Sequence, residues 1–216
     1  LGTDELGRDM IARLIYGADA KTSGTVAVDG KEVSIRSPLD AIDAGIAYLT
    51  EDRKTRGLLL RKGMRENLTL QALHRFTHGL IDTKAEAAAL DKAVREFDIR
   101  GSRAVRVGNL SGGNQQKLLF AKTMLSEPEI VVIDEPTRGV DIGTKQQMYG
   151  FIRGLATEGR AIVVISSEMQ EVIGLADRVL VMRRGRVAGE LAGAAASEDA
   201  IVRLAMGVLP AEETVA

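Results

Sequence analysis

Two stretches of this chain lack the alternation seen in its other apolar runs. Ile130–Asp134 (IVVID) and residues 161–166 (AIVVIS) are continuous runs rich in β-branched residues. Strands of that kind are buried on both faces, as in a parallel sheet covered by helices. Between them Met148, Ile152, Leu155 and Ala156 recur at helical spacing, which predicts a βαβ unit. Elsewhere the pattern is ordinary. Residues 24–35 (GTVAVDGKEVSI) alternate apolar and polar around Asp29-Gly30, the signal of a β-hairpin. SPLDAIDAG reads as a short helix with Ser37 as N-cap and Pro38 in its first turn, followed by a strand in IAYLTED. Residues 83–98 carry Ala87, Leu90, Val94 and Phe97 on one side, an amphipathic helix with a polar outer face. ADRVLVMRRGRVAGEL reads as strand, Arg184-Gly185 turn and strand, and the tail LPAEETVA as frayed. The sum is an α/β fold with a mainly parallel sheet flanked by helices and a partial antiparallel β region.

Length and charge narrow the function classes. The 216 residues suffice for one large domain, or for a domain with an inserted lobe. Lysine and arginine number 29 against 30 acidic residues, a net charge of −1, so no basic field points to nucleic acid or anionic lipid. The absence of cysteine excludes disulfides and thiolate metal sites, and suits a reducing cytoplasm. No apolar run approaches the roughly 18 residues of a membrane span. No cationic stretch followed by an apolar run marks a secretory signal.

In open α/β sheets ligands lie at the carboxyl ends of the strands. Asp134-Glu135 and Ser166-Ser167 both fall at such ends. In VVIDEP, Asp134 is placed to hold a hydrated Mg²⁺ and Glu135 to polarise a water in line with a phosphate; the alternative is a strand that simply ends in acidic residues. Upstream, LSGGNQQK (residues 110–117) precedes a helix whose buried side is marked by Leu118, Ala121 and Leu125. Ser111 is a good N-cap, but two successive glycines start a helix poorly. They make sense where bare backbone N–H groups approach a phosphate, attracted by roughly half a positive charge at the helix N-terminus. A flexible turn with a serine cap is the other reading. The two histidines, His74 and His78, sit in a polar helical stretch and read as solvated surface.

LSGGNQQK, IVVIDEPTRGVDIGTK and VVISSEMQEV together resemble the signature motif, Walker B, D-loop and switch region of an ATP-binding cassette (ABC) protein. More narrowly they resemble the second cassette of the double-cassette ATPases of bacterial ribose, galactose and xylose importers, a group that YLTEDRKTRGL (residues 48–58) also matches. The resemblance runs from about Gly17 to Met206. It implies a P-loop NTPase-like fold, with residues 18–54 and 129–207 as the ATP-binding core lobe, 55–128 as a helical lobe and 208–216 as a tail. It implies ATP and Mg²⁺ as cofactors. Ser111, Gly112, Gly113 and Asn114 would meet ATP held by a partner cassette. Asp134 would be the Walker B carboxylate, Glu135 the catalytic base and Asp141 the D-loop aspartate. Glu51 stands at the Q-loop position and Ser167 at the switch position, where most cassettes have Gln and His. Serine is shorter and uncharged, and a glutamate adds negative charge beside a triphosphate, so both departures imply slow hydrolysis or weak binding.

The opening LGTDELGRDM has the glycine spacing of a Walker A loop, with Gly2 and Gly7 as its glycines, but Arg8 replaces Lys and Asp9 replaces Ser or Thr. Carboxylates at Asp4, Glu5 and Asp9 would repel phosphate oxygens. LGTDELGRDMIARLIYGA also resembles a cytoplasmic stretch of dipeptide and oligopeptide importer permeases, and residues 1–17 read best as a permease-like segment joined to a cassette near Tyr16-Gly17-Ala18. The strand that should precede a Walker A loop is missing from the chain, so the isolated polypeptide is expected to bind ATP weakly.

Two functions follow from the resemblance. One is the truncated second nucleotide-binding domain of a carbohydrate importer ATPase, peripheral at the cytoplasmic face of the membrane. Its partners would be another cassette, permease subunits and, indirectly, a sugar-binding protein, with no nucleic acid. The other is a pseudo-cassette that supplies its signature in trans and hydrolyses nothing. A soluble cassette of DNA repair or translation fits poorly, since long coiled-coil segments and a charged linker are both lacking.

Overall fold

The computed structural model describes residues 5–208. Helix α1 (Glu5–Ile15) leads to a hairpin of β1 (Val26–Val28) and β2 (Lys31–Val33). The exit of α1 requires glycine: at Gly17 φ is +71°, and a Cβ would stand 2.8 Å from the Ser37 carbonyl. The hairpin turns through Asp29 and Gly30, both at positive φ, as Asp-Gly predicts. Helix α2 (Pro38–Asp43) starts in a capping box of Ser37 and Asp40, and β3 (Ile46–Leu49) follows. After a π turn at Arg53–Gly57 come α3 (Met64–Thr69), a kinked 3₁₀ segment, the two-residue strands β4 (Thr77–His78) and β5 (Leu80–Ile81), and α4 (Thr83–Glu96). Helix α5 (Gly112–Met124) feeds β6 (Ile130–Asp134). Then α6 (Ile142–Thr157), β7 (Ala161–Ile165), α7 (Met169–Leu175), the hairpin β8 (Arg178–Arg183) and β9 (Arg186–Ala192), and α8 (Glu198–Met206) complete the order.

The central sheet is β3-β6-β7, parallel throughout, with Ile46 opposite Ile130 and Asp134 opposite Ile165. Its middle strand explains the unbroken run in IVVID. Val131 and Ile133 enter a cluster with Leu49, Met64, Leu68, Phe120, Met148 and Ile152. Val132 points the other way, into a cluster with Ala12, Ile35, Ala41 and Ile46. Each face is therefore dry, and each fully buried side chain of this size stabilises by roughly 1.5–3 kcal/mol. Phe97, Phe120 and Phe151 lock the larger cluster with ring centroids 5.1 to 5.7 Å apart.

Several sequence expectations need correcting. The β7 strand is not buried on both faces: Ala161 is exposed and Val163 is 44% exposed. Ala156 and Ala87 face solvent, while the buried side of α4 runs Glu86, Leu90, Ala93 and Phe97. Glu86 enters it because the Thr69 hydroxyl donates to its carboxylate at 2.5 Å. Helix α5 is not one-sided either, since Gln115, Gln116, Lys117 and Thr123 are buried beside its apolar residues. His74 is exposed as expected, but in 3₁₀ rather than α-helical backbone, and His78 belongs to β4. The tail expected to fray, residues 209–216, lies outside the described residues.

Candidate functional site

Two helix N-termini meet in one cleft. At α5 the Ser111 hydroxyl accepts from the Asn114 N–H at 3.4 Å and from Asn114 Nδ2 at 2.8 Å. The Asn114 side-chain oxygen accepts from the Arg100 N–H at 2.7 Å, tying the cap to the segment before it. At α6, Asp141 is the cap: its carboxylate accepts from the Thr144 N–H and hydroxyl, both at 2.9 Å. Those bonds hold the Asp141 carboxyl below its usual range. The caps line a cleft of about 370 Å³ together with Asp98, Arg100, Lys117 and Gln147. Lys117 is buried, with Nζ donating to the Asp98 carbonyl at 2.6 Å. Asp98 is held low by the Gln147 amide and then by Arg100. Two cations face two carboxylates here, so the two helix N-termini tip the balance towards binding an anion.

The glycines of the motif have a reason the sequence did not show. A Cβ on Gly113 would stand 2.4 Å from the Thr144 hydroxyl, and one on Gly112 would stand 3.1 Å from an Arg53 guanidinium nitrogen. Bare backbone lets α5 close against the α6 cap and the loop before it, in addition to any approach to a ligand.

The carboxyl ends of β6 and β7 form a second group, closed on itself. Asp134, 2% exposed, accepts from the Tyr48 phenol at 2.9 Å. The Tyr48 ring packs against Tyr16, with centroids 5.5 Å apart. Glu135 has φ +45°, a left-handed turn rare outside glycine, and its N–H donates to the Ile165 carbonyl at 2.8 Å. Its carboxylate accepts from the Ser167 backbone N–H at 2.7 Å. Next in the loop, the Pro136 carbonyl accepts from buried Gln116 at 2.8 Å, and the Thr137 hydroxyl donates to Glu171 at 2.9 Å. Glu51 pairs with Arg138 at 2.6 Å, and Arg53 donates to the Arg138 carbonyl at 2.9 Å. Asp52 caps the π turn, its carboxyl kept low first by the Thr55 hydroxyl. Beside this turn runs a groove of about 340 Å³ whose lining includes Arg13, Tyr16, Tyr48, Arg56, Gln71 and Lys122. Burial pushes the Lys122 ammonium down, and its Nζ donates to the Gly57 carbonyl at 2.8 Å.

The predicted residues therefore fall into two groups. Ser111, Asn114 and Asp141 line the cleft, with Gly112 and Gly113 in the same helix start. Asp134, Glu135, Ser167 and Glu51 belong to the closed group. Gly7, Arg8 and Asp9 lie in the first turns of α1, and Gly2 lies outside the described residues. Sequence reasoning missed Tyr48, Arg53, Lys117, Arg138 and Glu171. All five stand inside the quoted motifs, so proximity to a motif was their only signal; the switch contact runs through the backbone of Ser167 and had none.

The sequence model of the family described as ABC transporter matches residues 1–138, the opening segment included. The chain is 48% identical over 206 residues to a ribose import ATP-binding protein, RbsA 2, of Burkholderia pseudomallei (strain 1710b), covering 93% of this chain and 40% of that protein. It is 46% identical over 204 residues to a ribose import ATP-binding protein, RbsA, of Yersinia pestis, covering 94% and 40%. The chain thus spans about 40% of the length of these relatives. Among solved structures, a nucleotide-free ATP-binding cassette from an ABC transporter superposes with a TM-score of 0.74 at 20% identity, over 92% of this chain and 79% of that one. The dimeric post-hydrolysis state of the cassette MJ0796 bound to ADP and Pi gives 0.72 at 19% identity, over 86% and 80%. These likenesses carry the P-loop NTPase-like cassette fold. With that fold and a family match over well more than half of its length, the chain belongs to the ABC transporter family.

Proposed function

We propose that this chain is a nucleotide-binding domain of a carbohydrate importer ATPase, the second cassette of a double-cassette protein. Its α5–α6 cleft meets ATP held on a partner cassette. The observation that carries this reading is the pair of capped helix N-termini opening into one cleft with Ser111, Asn114, Arg100 and Lys117. Its sugar-importer part is supported by the ribose import relatives. Residues 18–54 and 129–207 act as the core lobe and 55–128 as the helical lobe. Permease helices sit beside residues 51–56, where the groove along the π turn offers Arg56 and Tyr48. The protein works at the cytoplasmic face of the membrane.

Asp134 fits a hard cation held through water, being a buried carboxylate at the strand end beside Glu135. Bound there with nucleotide, Mg²⁺ supplies charge neutralisation of the phosphates. The chain's own residues do the rest: Glu135 orients a water, and the Ser167 N–H fixes the direction of that carboxylate.

The closed carboxylate group favours a second reading, in which this chain hydrolyses nothing and serves only through its signature. ATP turnover of the assembled importer tests both. Ser111→Arg fills the cleft and is expected to lower turnover about a hundredfold; unchanged turnover would remove the signature role. Glu135→Gln then separates the readings, since it lowers turnover only where this chain's own site fires.

A further inference from the structure

Glu171 has no part in the chemistry just described, yet it is among the most buried charged side chains. It lies in α7 with 2% of its surface exposed. One carboxyl oxygen accepts from the Thr137 hydroxyl at 2.9 Å, and the other, Oε2, has no hydrogen-bond partner within the described residues. Thr137 is itself 1% exposed and stands two residues after Glu135. Just before α7, the Ser167 N–H holds the Glu135 carboxylate at 2.7 Å. The segment 167–171 therefore grips the 135–137 loop at two points, one through the backbone and one through Glu171.

We propose that Glu171 is a positioning residue, whose hydrogen bond to Thr137 fixes the 135–140 loop against α7 and so aims the Glu135 carboxylate. The naming of Glu135 as the base rests on the cassette reading; the mechanical link does not. Loop 135–140 turns left-handed at Glu135 and again at Gly139, so its course is not held by regular secondary structure. Besides Glu171, Gln116 from α5, Arg53 from the π turn and the pair Glu51–Arg138 hold it. Of these only Glu171 lies on the same segment as Ser167.

The groups that interact with the Glu171 carboxyl come from every side. Glu168 lies at the start of its own helix, Glu135 at the end of β6 and the Ser166 hydroxyl at the end of β7, while Lys145 and Tyr149 of α6 also feel its charge. Burial pushes the carboxyl above its ordinary value of 4.5, Glu168 and Glu135 add to that, and the Ser166 and Thr137 hydroxyls oppose it. A neutral acid with an unpartnered Oε2 is far cheaper to bury than a carboxylate. An acid whose native pKa is raised binds more protons folded than unfolded. Its contribution to stability is therefore full below the unfolded value and declines as pH rises towards the folded one.

Glutamine imitates the neutral acid and alanine removes the link, so the pair decides. Amide hydrogen exchange of the chain without nucleotide is followed at residues 137–140 and at Ser167. Glu171→Ala is expected to speed exchange there about tenfold or more, with α8 unchanged, while Glu171→Gln stays near wild type. As pH rises above the ordinary glutamate value, the wild type should also lose stability towards urea more steeply than Glu171→Gln. Unchanged exchange in Glu171→Ala, or Glu171→Gln as loose as Glu171→Ala, overturns the proposal. Should Glu171→Ala fail to fold, Thr137→Val removes the same hydrogen bond from the other side, and unchanged exchange at residues 138–140 and Ser167 in that variant overturns it. No nucleotide enters these measurements, so their failure leaves the cassette reading standing, and failure of that reading leaves the link intact.

Discussion

The α5–α6 cleft and the carboxyl ends of β6 and β7 lie at opposite ends of one loop, residues 135–141, and they treat their polar groups differently. In the cleft, hydrogen bonds brace the caps from behind: Arg100 to Asn114, Thr144 to Asp141, Lys117 to Asp98. The first turns of both helices still face an open space of about 370 Å³. At the strand ends the acidic groups are spoken for by the chain itself: Asp134 by Tyr48, Glu135 by Ser167, Glu51 by Arg138. One end is preorganised for something outside the chain, and the other has satisfied its charges internally. That contrast is what the proposed role, service to a partner's nucleotide, would require of the two ends.

The largest effect should come from the packing that shapes the cleft. Gly113→Ala places a methyl 2.4 Å from the Thr144 hydroxyl, a contact no side chain tolerates. The α6 cap must move, at about 1–3 kcal/mol. Thermal melting should show the loss. A melt within error of the wild type would mean that the cleft is soft, and the contrast with the closed end would fade.

Next comes the tie between the two ends. Gln116 is buried and donates to the Pro136 carbonyl at 2.8 Å. Gln116→Leu keeps the volume but orphans that carbonyl, a cost of about 1–3 kcal/mol in urea unfolding. Exchange at Thr137 should rise as well, because the carbonyl lies next to it in the chain.

A smaller effect, more telling about function, is expected of Tyr48→Phe. Losing the phenol costs about 1 kcal/mol of stability, while Asp134 gains an acceptor site. Mn²⁺ binding in the presence of ATP, followed by electron paramagnetic resonance, should tighten a few-fold. Weaker binding would show that Tyr48 supports the cation site instead of competing with it.

The sequence disclosed its periodic elements and its charged motifs, but not how the chain satisfies them. IVVID could be read because β-branched residues without alternation mean two covered faces, and Val131 and Val132 do point into different clusters. AIVVIS has a similar composition and yet forms a strand with exposed positions at Ala161 and Val163, since burial depends on neighbours that a window of six residues does not contain. Ser111 was legible as a cap through local spacing, whereas Asp141 was legible only as the D-loop aspartate and its capping of α6 came from the structure. The partners of Asp134, Glu135 and Glu51 were not: Tyr48 is 86 residues away, and Ser167 acts through an N–H that every residue but proline carries.

The smallest expected effect is at the exposed end of the closed group. Glu51 and Arg138 meet at 2.6 Å with side chains 35% and 52% exposed, so solvent and salt screen the pair. Arg138→Ala should therefore cost less than about 1 kcal/mol, and less still in high salt. The backbone of the loop is held separately, because Arg53 donates to the main-chain carbonyls of residues 138 and 139, which the substitution leaves in place. What changes is charge: Glu51 loses its neutralising neighbour beside the strand end that carries Asp134. At low salt this added negative field should weaken binding of a nucleotide triphosphate to the chain's own site by a small factor, and leave the signature cleft untouched. Fluorescent nucleotide titrations at low and high ionic strength resolve the two. An equal loss at both salt concentrations would mean that Arg138 acts through loop geometry and not through its charge, which would place Glu51 among the positioning residues of the closed end.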